Sequence, residues 1–300
     1  MDVATLLAPL ARAAVFACLL LIVGAVAFRW LVLSRMTEPQ PEAEQAAARL
    51  GAVVAASLFP ALLALFLAQV LSFREPSEPF SAVVALVLAI PWGKVWMAQI
   101  AAGLLAQASF IAASRGGRRR RLGWALTPWL AAGQAFTPAL SGHAAAVEGP
   151  TAWAVGADGL HLLAGGAWLG QLAVLAATSL RRPAAPASLL LERLNAFSPV
   201  ALASAAVVAA TGTFSAWLHL HRVSDLWTSG YGRLLAIKLL LFAAVLAFGA
   251  WNWRRATPKL RATADSGMIA RSIRGELMMA ALVILVTAWF VASSPPEAAP

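Results

Sequence analysis

The chain has 300 residues, 61% of them hydrophobic and only 12% charged, and its mean hydropathy is +0.76. A water-soluble domain carries about 25% charged residues, so this composition excludes an ordinary soluble globule and puts most of the surface in lipid. The net charge is +10, and in so apolar a chain the basic excess belongs to topology-setting loops, not to nucleic-acid binding.

Crossing the hydrocarbon of a bilayer takes about 20 apolar residues as a helix. Eight such segments follow one another: Leu10–Leu33, Leu50–Ser72, Pro91–Ala113, Leu122–Ala146, Gly159–Leu180, Phe197–Leu220, Leu234–Trp253 and Gly275–Ala292. The first is longer than a signal-peptide core, and its positive charges Arg29 and Arg35 follow it. A cleaved signal carries them ahead of the run, so it reads as a retained span. Ser81–Ile90 is too short to cross and either extends the third helix through Pro91 or lies in the interface. The alternating pattern of a barrel strand does not occur, so the expected fold is an all-α integral membrane protein.

Loops after the odd-numbered spans hold 17 of the 23 basic residues, including Arg115, Arg118–Arg121, Arg181, Arg182, Arg254 and Arg255. The positive-inside rule then puts both termini outside, which in a Gram-negative cell is the periplasm. Trp92, Trp96, Trp153, Trp217, Trp227 and Trp289 fall near the outer helix ends, as an interfacial belt does. Pro91-Trp-Gly-Lys-Val opens the third span and Gly230-Tyr-Gly-Arg-Leu the seventh, and Trp30 has a counterpart in Trp168 at nearly the same offset. The expectation is a parallel four-plus-four repeat, with halves 1–146 and 147–300 inside one membrane domain.

The lone cysteine, Cys18, excludes an intrachain disulfide and any CxxC motif. There is no Walker A sequence, dinucleotide fingerprint, Ser-His-Asp set, HExxH or carboxylate pair within the spans, so no enzymatic activity is expected. All four histidines fall on the outer side: His143 ends span four, His161 begins span five, and His219 and His221 end span six. Imidazole is the commonest metal ligand and suits copper, zinc, iron and nickel. Met97 is the only methionine near that face, so a thioether copper site has little support. His161, Gly165 and Trp168 follow i, i+4, i+7 spacing and would share a helix face, with Gly165, Gly166 and Gly170 admitting a close neighbour. Asp158 reads as an N-terminal helix charge or as a partner orienting His161, and Glu276 as an N-terminal charge on the last span. Lys238 is long enough to snorkel outward. An inward route would use small-residue packing with the polar Thr211, Gln134 and Asn252.

Several motifs carry a family likeness: Gly142-His-Ala, Leu160-His-Leu-Leu-Ala-Gly-Gly-Ala-Trp-Leu-Gly170, Leu194-Asn-Ala-Phe-Ser-Pro-Val-Ala-Leu202, Thr211-Gly212, Tyr231-Gly-Arg-Leu-Leu-Ala-Ile-Lys238 and Arg271-Ser-Ile-Arg-Gly-Glu276. With them the chain resembles the copper resistance protein D (CopD) family of bacterial inner-membrane proteins, most specifically over residues 140–295. The resemblance implies copper homeostasis, with copper moved inward across the inner membrane, and a separate CopC-like periplasmic copper-binding protein as partner. It implies His143 and His161 as copper candidates; His219 and His221 join them on topology alone. The alternative is a b-type haem protein, a membrane redox enzyme or assembly factor, because histidines from two adjacent helices suit bis-imidazole ligation. Against it, every histidine lies on one side, whereas dihaem bundles place pairs at both depths.

Overall fold

A chain that must satisfy its backbone polar groups without water has helices as its simplest solution. The computed structural model describes residues 3–146, 150–180, 185–220, 222 and 224–292, and among these residues it is helical with no strand. His221, Arg181 and Arg182 lie outside the described residues, as does the side chain of His143.

In chain order the helices are α1 (Val3–Ala27), α2 (Pro41–Phe73), α3 (Phe80–Ala89), α4 (Pro91–Ala113), α5 (Gly117–Ser141), α6 (Thr151–Gly165), α7 (Gln171–Ser179), α8 (Ala187–His219), α9 (Asp225–Thr228), α10 (Gly230–Trp251), α11 (Thr257–Thr263) and α12 (Gly267–Phe290). Three five-residue π-helical turns lie in or at the ends of these rods: Phe28–Val32 after α1, Gly166–Gly170 joining α6 to α7, and Asn252–Ala256 joining α10 to α11.

Among the described residues, seven continuous helices are long and apolar enough to cross a bilayer, one fewer than the eight segments read from the sequence. The missing one is α5. It is a helix of 25 residues, about 37 Å at 1.5 Å per residue, but its apolar run is interrupted by Thr127, Gln134, Thr137 and two prolines. All three polar residues are buried, because α5 packs on α4, α6 and α1. A helix enclosed by other helices needs less apolar surface than one facing lipid.

The helices also begin well before their apolar segments. The fifth apolar segment starts at Gly159 but α6 starts at Thr151, and the last starts at Gly275 but α12 starts at Gly267. Asp158 and Glu276 are therefore not in a first helical turn, and neither acts as an N-terminal helix charge. Hydropathy marks where lipid begins; the helix continues into polar sequence as long as its backbone bonds and packing are kept.

The short apolar run forms a separate helix, α3, and does not extend α4. Ile90 precedes Pro91 and is extended, φ −71° and ψ 160°, the conformation a following proline enforces. Gly93 sits against the Val87 carbonyl with no room for a side chain, so α3 folds back to bury Val83 and Val87 beside Val70.

The core is built around α1. In its apolar window 61% of residues are buried, against 11% for the rod of α10 and α11, so α1 is central and α10 faces outward. Leu19, Ile22, Ala25 and Phe28 are fully enclosed, while Leu202, Leu240 and Trp129 are exposed on a surface suited to lipid. Cys18 packs at the edge of this core as a free thiol. The α1 axis crosses the α6–α7 rod at glycines: Gly170 lies on the Leu20 carbonyl and beside Gly24, and Gly166 lies on Val23. The close approach expected at Gly166 and Gly170 is thus made by α1.

At one end of the bundle, basic residues join the loops. Arg29 pairs with Glu44 at 3.1 Å, and Arg120 lies 4.0 Å from the same carboxylate. Buried Arg193 donates to Ser179 Oγ at 2.8 Å and to Gln40 Oε1 at 3.2 Å, and the Thr37 amide donates to Glu192 at 2.6 Å. The loop after α1, the start of α5 and the start of α8 are therefore on the same side.

Candidate functional site

Helices α6 and α8 pack side by side, and polar side chains follow their contact line. On α8, Thr211, Ser215 and His219 recur at i, i+4, i+8 and so stand on one face. Opposite them on α6 are His161 and, one turn nearer its start, Asp158. The Ser215 hydroxyl donates to Asp158 Oδ1 at 3.0 Å, and His161 Nδ1 lies 2.9 Å from Thr211 Oγ1. Asp158 is therefore a partner of α8 and not a helix-end charge. Gly212 leaves space for the ring: a side-chain carbon there would meet His161 Cε1 at 3.4 Å.

The hydroxyl of Thr211 decides the histidine's tautomer. It donates to the Val207 carbonyl one turn back at 2.7 Å, the usual bond of a threonine inside a helix. Its single hydrogen is then spent, so toward the imidazole it accepts. For a neutral ring, Nδ1 of His161 carries the hydrogen and Nε2 carries the lone pair. His219 reaches the same tautomer by another route, with Nδ1 donating to the Ser215 carbonyl at 2.8 Å. Fixing Nδ1–H on an oxygen is how metal-binding histidines are commonly oriented.

Helix α10 closes one side of this seam. Tyr231 packs on Phe290 with tilted rings and centroids 4.3 Å apart, and the His219 ring is 6.4 Å from Tyr231. Lys238 places Nζ 5.5 Å over the Phe290 ring and lies within electrostatic reach of Asp158 and His161. Its ammonium reaches back toward the Tyr231–Phe290 end of α10 and α12. The start of α10 is held by Ser229, whose hydroxyl accepts from the Gly232 amide, and Gly232 sits on the Asp225 carbonyl where a side chain would not fit.

Of the four histidines, the structure brings His161 and His219 to the α6–α8 seam. His143 opens a short 3₁₀ turn, His143–Ala146, that packs against α6. Among the described residues no group of three or more His, Cys, Asp or Glu is arranged to hold a metal ion. Of His161, Gly165 and Trp168, expected on one face, the first two keep their i, i+4 spacing inside α6 and Trp168 falls in the π-turn. His161 faces α8, Gly165 faces Leu20 of α1, and Trp168 meets Phe242 of α10 edge-on at 6.1 Å. The π-turn at Gly166–Gly170 adds a residue to the turn and rotates the side chains beyond it about the helix axis.

The polar residues expected along an inward route are in three different places. Thr211 holds His161; Gln134 donates to the Gln99 carbonyl at 3.0 Å between α5 and α4; Asn252 donates to Glu276 at 2.9 Å between α10 and α12. Ser215, Tyr231 and Lys238 join the seam without having stood out in the sequence as site residues. The i, i+4 repeat of Thr211, Ser215 and His219 on α8 carries the signal for Ser215 alone, hidden by the apolar residues between them.

A family model described as "Copper resistance protein D-like, N-terminal domain" matches residues 2–153, and one described as "Copper resistance protein D" matches residues 191–290. The chain is also 31% identical over 211 residues to "Copper transport protein CutJ" of Bacillus subtilis (strain 168), a stretch that is 69% of this chain and 38% of that protein. The chain thus spans well under half the length of that relative. No solved structure gives a significant match.

Proposed function

We propose that this chain, which belongs to the copper resistance protein D family, carries copper ions inward across the inner membrane. A copper-related role is what the family and the name of the CutJ relative support; direction, site and partner are our reading. In it α5 is an eighth span, both termini face the periplasm, and a CopC-like partner delivers the ion to the outer end of the α6–α8 seam. His161 receives it through Nε2, with His219, His143 and His221 as further ligands at the mouth. The observation that carries the site is the hydrogen-bond chain Val207–Thr211–His161, which orients a neutral imidazole inside an apolar bundle.

The four-plus-four repeat is supported by matching distortions. The π-turns Phe28–Val32 and Gly166–Gly170 begin 138 positions apart, each contains the tryptophan paired by sequence, and α1 packs directly on the second. Energetics favour import without an ATPase. A divalent cation moving inward gains about 4.6 kcal/mol per 100 mV of inside-negative potential.

The test is copper uptake into proteoliposomes of known orientation, with and without an imposed potential. Uptake that rises with inside-negative potential and falls in His161→Ala is expected. Equal uptake by wild type and His161→Ala overturns the site. A Soret band at about one haem per chain in the purified protein overturns the copper reading.

A further inference from the structure

The bundle holds a second polar site that the copper reading does not use. Glu276 is the tenth residue of α12, roughly 13 Å along the helix from its start, and its side chain is buried, 2% exposed. Two neutral groups point at its carboxylate: Asn252 Nδ2 donates to Oε2 at 2.9 Å, and the Trp168 indole N–H also donates. Both donors come from π-helical turns, which present side chains that a regular helix would turn elsewhere. Beside the site Gly275 lets the Phe248 ring of α10 close over α12.

Among the described residues this carboxylate has no ion-pair partner. The helices packed on α12 are α1, α7, α10 and α11. On α10, its π-turn, α11 and α12, Arg233, Arg254, Arg255, Lys259, Arg261, Arg271 and Arg274 are all exposed. From α1, Arg12 reaches the Ala288 carbonyl, Cys18 packs at the core edge, and Arg29 is paired with Glu44. Lys238 and Tyr231 sit with Phe290 at the far end of α12. A carboxylate left without a countercharge in a membrane interior is expensive and is kept where it serves a function.

We propose that Glu276 is a proton-binding site, with Asn252 as the partner that accommodates both of its protonation states. The ligand class follows from the donors. Two N–H groups already bond the carboxylate, and among the described residues no group of three or more His, Cys, Asp or Glu gathers around it to hold a metal ion. A proton needs one oxygen lone pair and no further ligand. With Glu276 ionised, Asn252 Nδ2 donates to it, and Asn252 Oδ1 is left buried without a partner. When a proton from water binds one carboxylate oxygen, a half-turn of the Asn252 amide presents Oδ1 to accept the new O–H. Trp168 keeps its N–H on the carboxyl group. The orphan acceptor of one state is thus the partner required by the other. Ser272, one helical turn nearer the start of α12, is buried with its hydroxyl also unpartnered and extends the polar line toward that end.

The experiment is infrared difference spectroscopy of the full chain in lipid nanodiscs, titrated from acid to alkaline pH without copper. A C=O stretch of a protonated carboxyl that disappears as pH rises is expected in wild type and in Asp158→Asn, and absent in Glu276→Gln. Trp168→Phe, which keeps a ring against Phe242 but loses the N–H, should move that band to higher frequency. Superimposable spectra of wild type and Glu276→Gln overturn the proposal, and so does an unmoved band in Trp168→Phe, which decides if the glutamine variant does not fold. No copper enters the measurement, so it stands or falls separately from the transport reading.

Discussion

Replacing Thr211 by valine removes one hydroxyl from the α6–α8 seam and almost nothing else. Threonine and valine have the same branched shape, so the packing of α8 is kept. What is lost is the acceptor 2.9 Å from His161 Nδ1. The ring then keeps only its bond to the Val208 backbone carbonyl, and its orientation is held less tightly. Hydrogen bonds between membrane helices contribute about 0.6 kcal/mol on average and up to about 1.7, so global stability should fall by no more than that. The effect on copper should be larger, because losing the group that orients a metal-binding histidine typically costs about 10–100-fold in affinity. Thr211→Ser restores the hydroxyl on a helical backbone that already directs it to the Val207 carbonyl, and should bind within a few-fold of wild type. Copper titration of purified protein against a competing chelator measures both. If Thr211→Val binds as tightly as wild type while His161→Ala loses copper, Thr211 does not set the ring and the tautomer argument is wrong.

The glycine crossing gives a sharper structural test. Gly170→Ala drives a carbon into the Leu20 carbonyl, and overpacking of this kind costs about 1–3 kcal/mol, which should show as easier unfolding in mixed micelles. Gly212→Ala meets only an ordinary contact with His161 at 3.4 Å and gains about 1 kcal/mol of helix propensity, so it should be neutral or stabilising in the same assay. Arg193→Leu abandons bonds to Ser179 and Gln40; charged hydrogen bonds contribute about 1.5–3 kcal/mol each, so its thermal midpoint should drop clearly. Arg193→Lys should not recover it fully, since Arg193 reaches its two partners through two separate nitrogens of a planar guanidinium.

Sequence alone was enough to determine that this is a helical membrane protein, and the reason is local. Lipid demands long apolar segments, and an apolar segment can be counted without knowing its neighbours. The same holds for the family motifs and for the glycines that admit a close helix. Tertiary structure decided the rest, because it depends on which helix stands beside which. Helix starts could not be read from hydropathy: α6 and α12 each extend eight residues ahead of their apolar runs, which moved Asp158 and Glu276 from helix ends into the bundle. The polar Thr127, Gln134 and Thr137 of α5 are enclosed by neighbouring helices, which no hydropathy count along the chain shows. The face shared by His161, Gly165 and Trp168 assumed a regular helix, and a π-turn turned Trp168 away toward Glu276. The histidine's tautomer and the partners of the buried glutamate are facts of packing between segments 24 to 108 residues apart, beyond the reach of any periodicity along the chain.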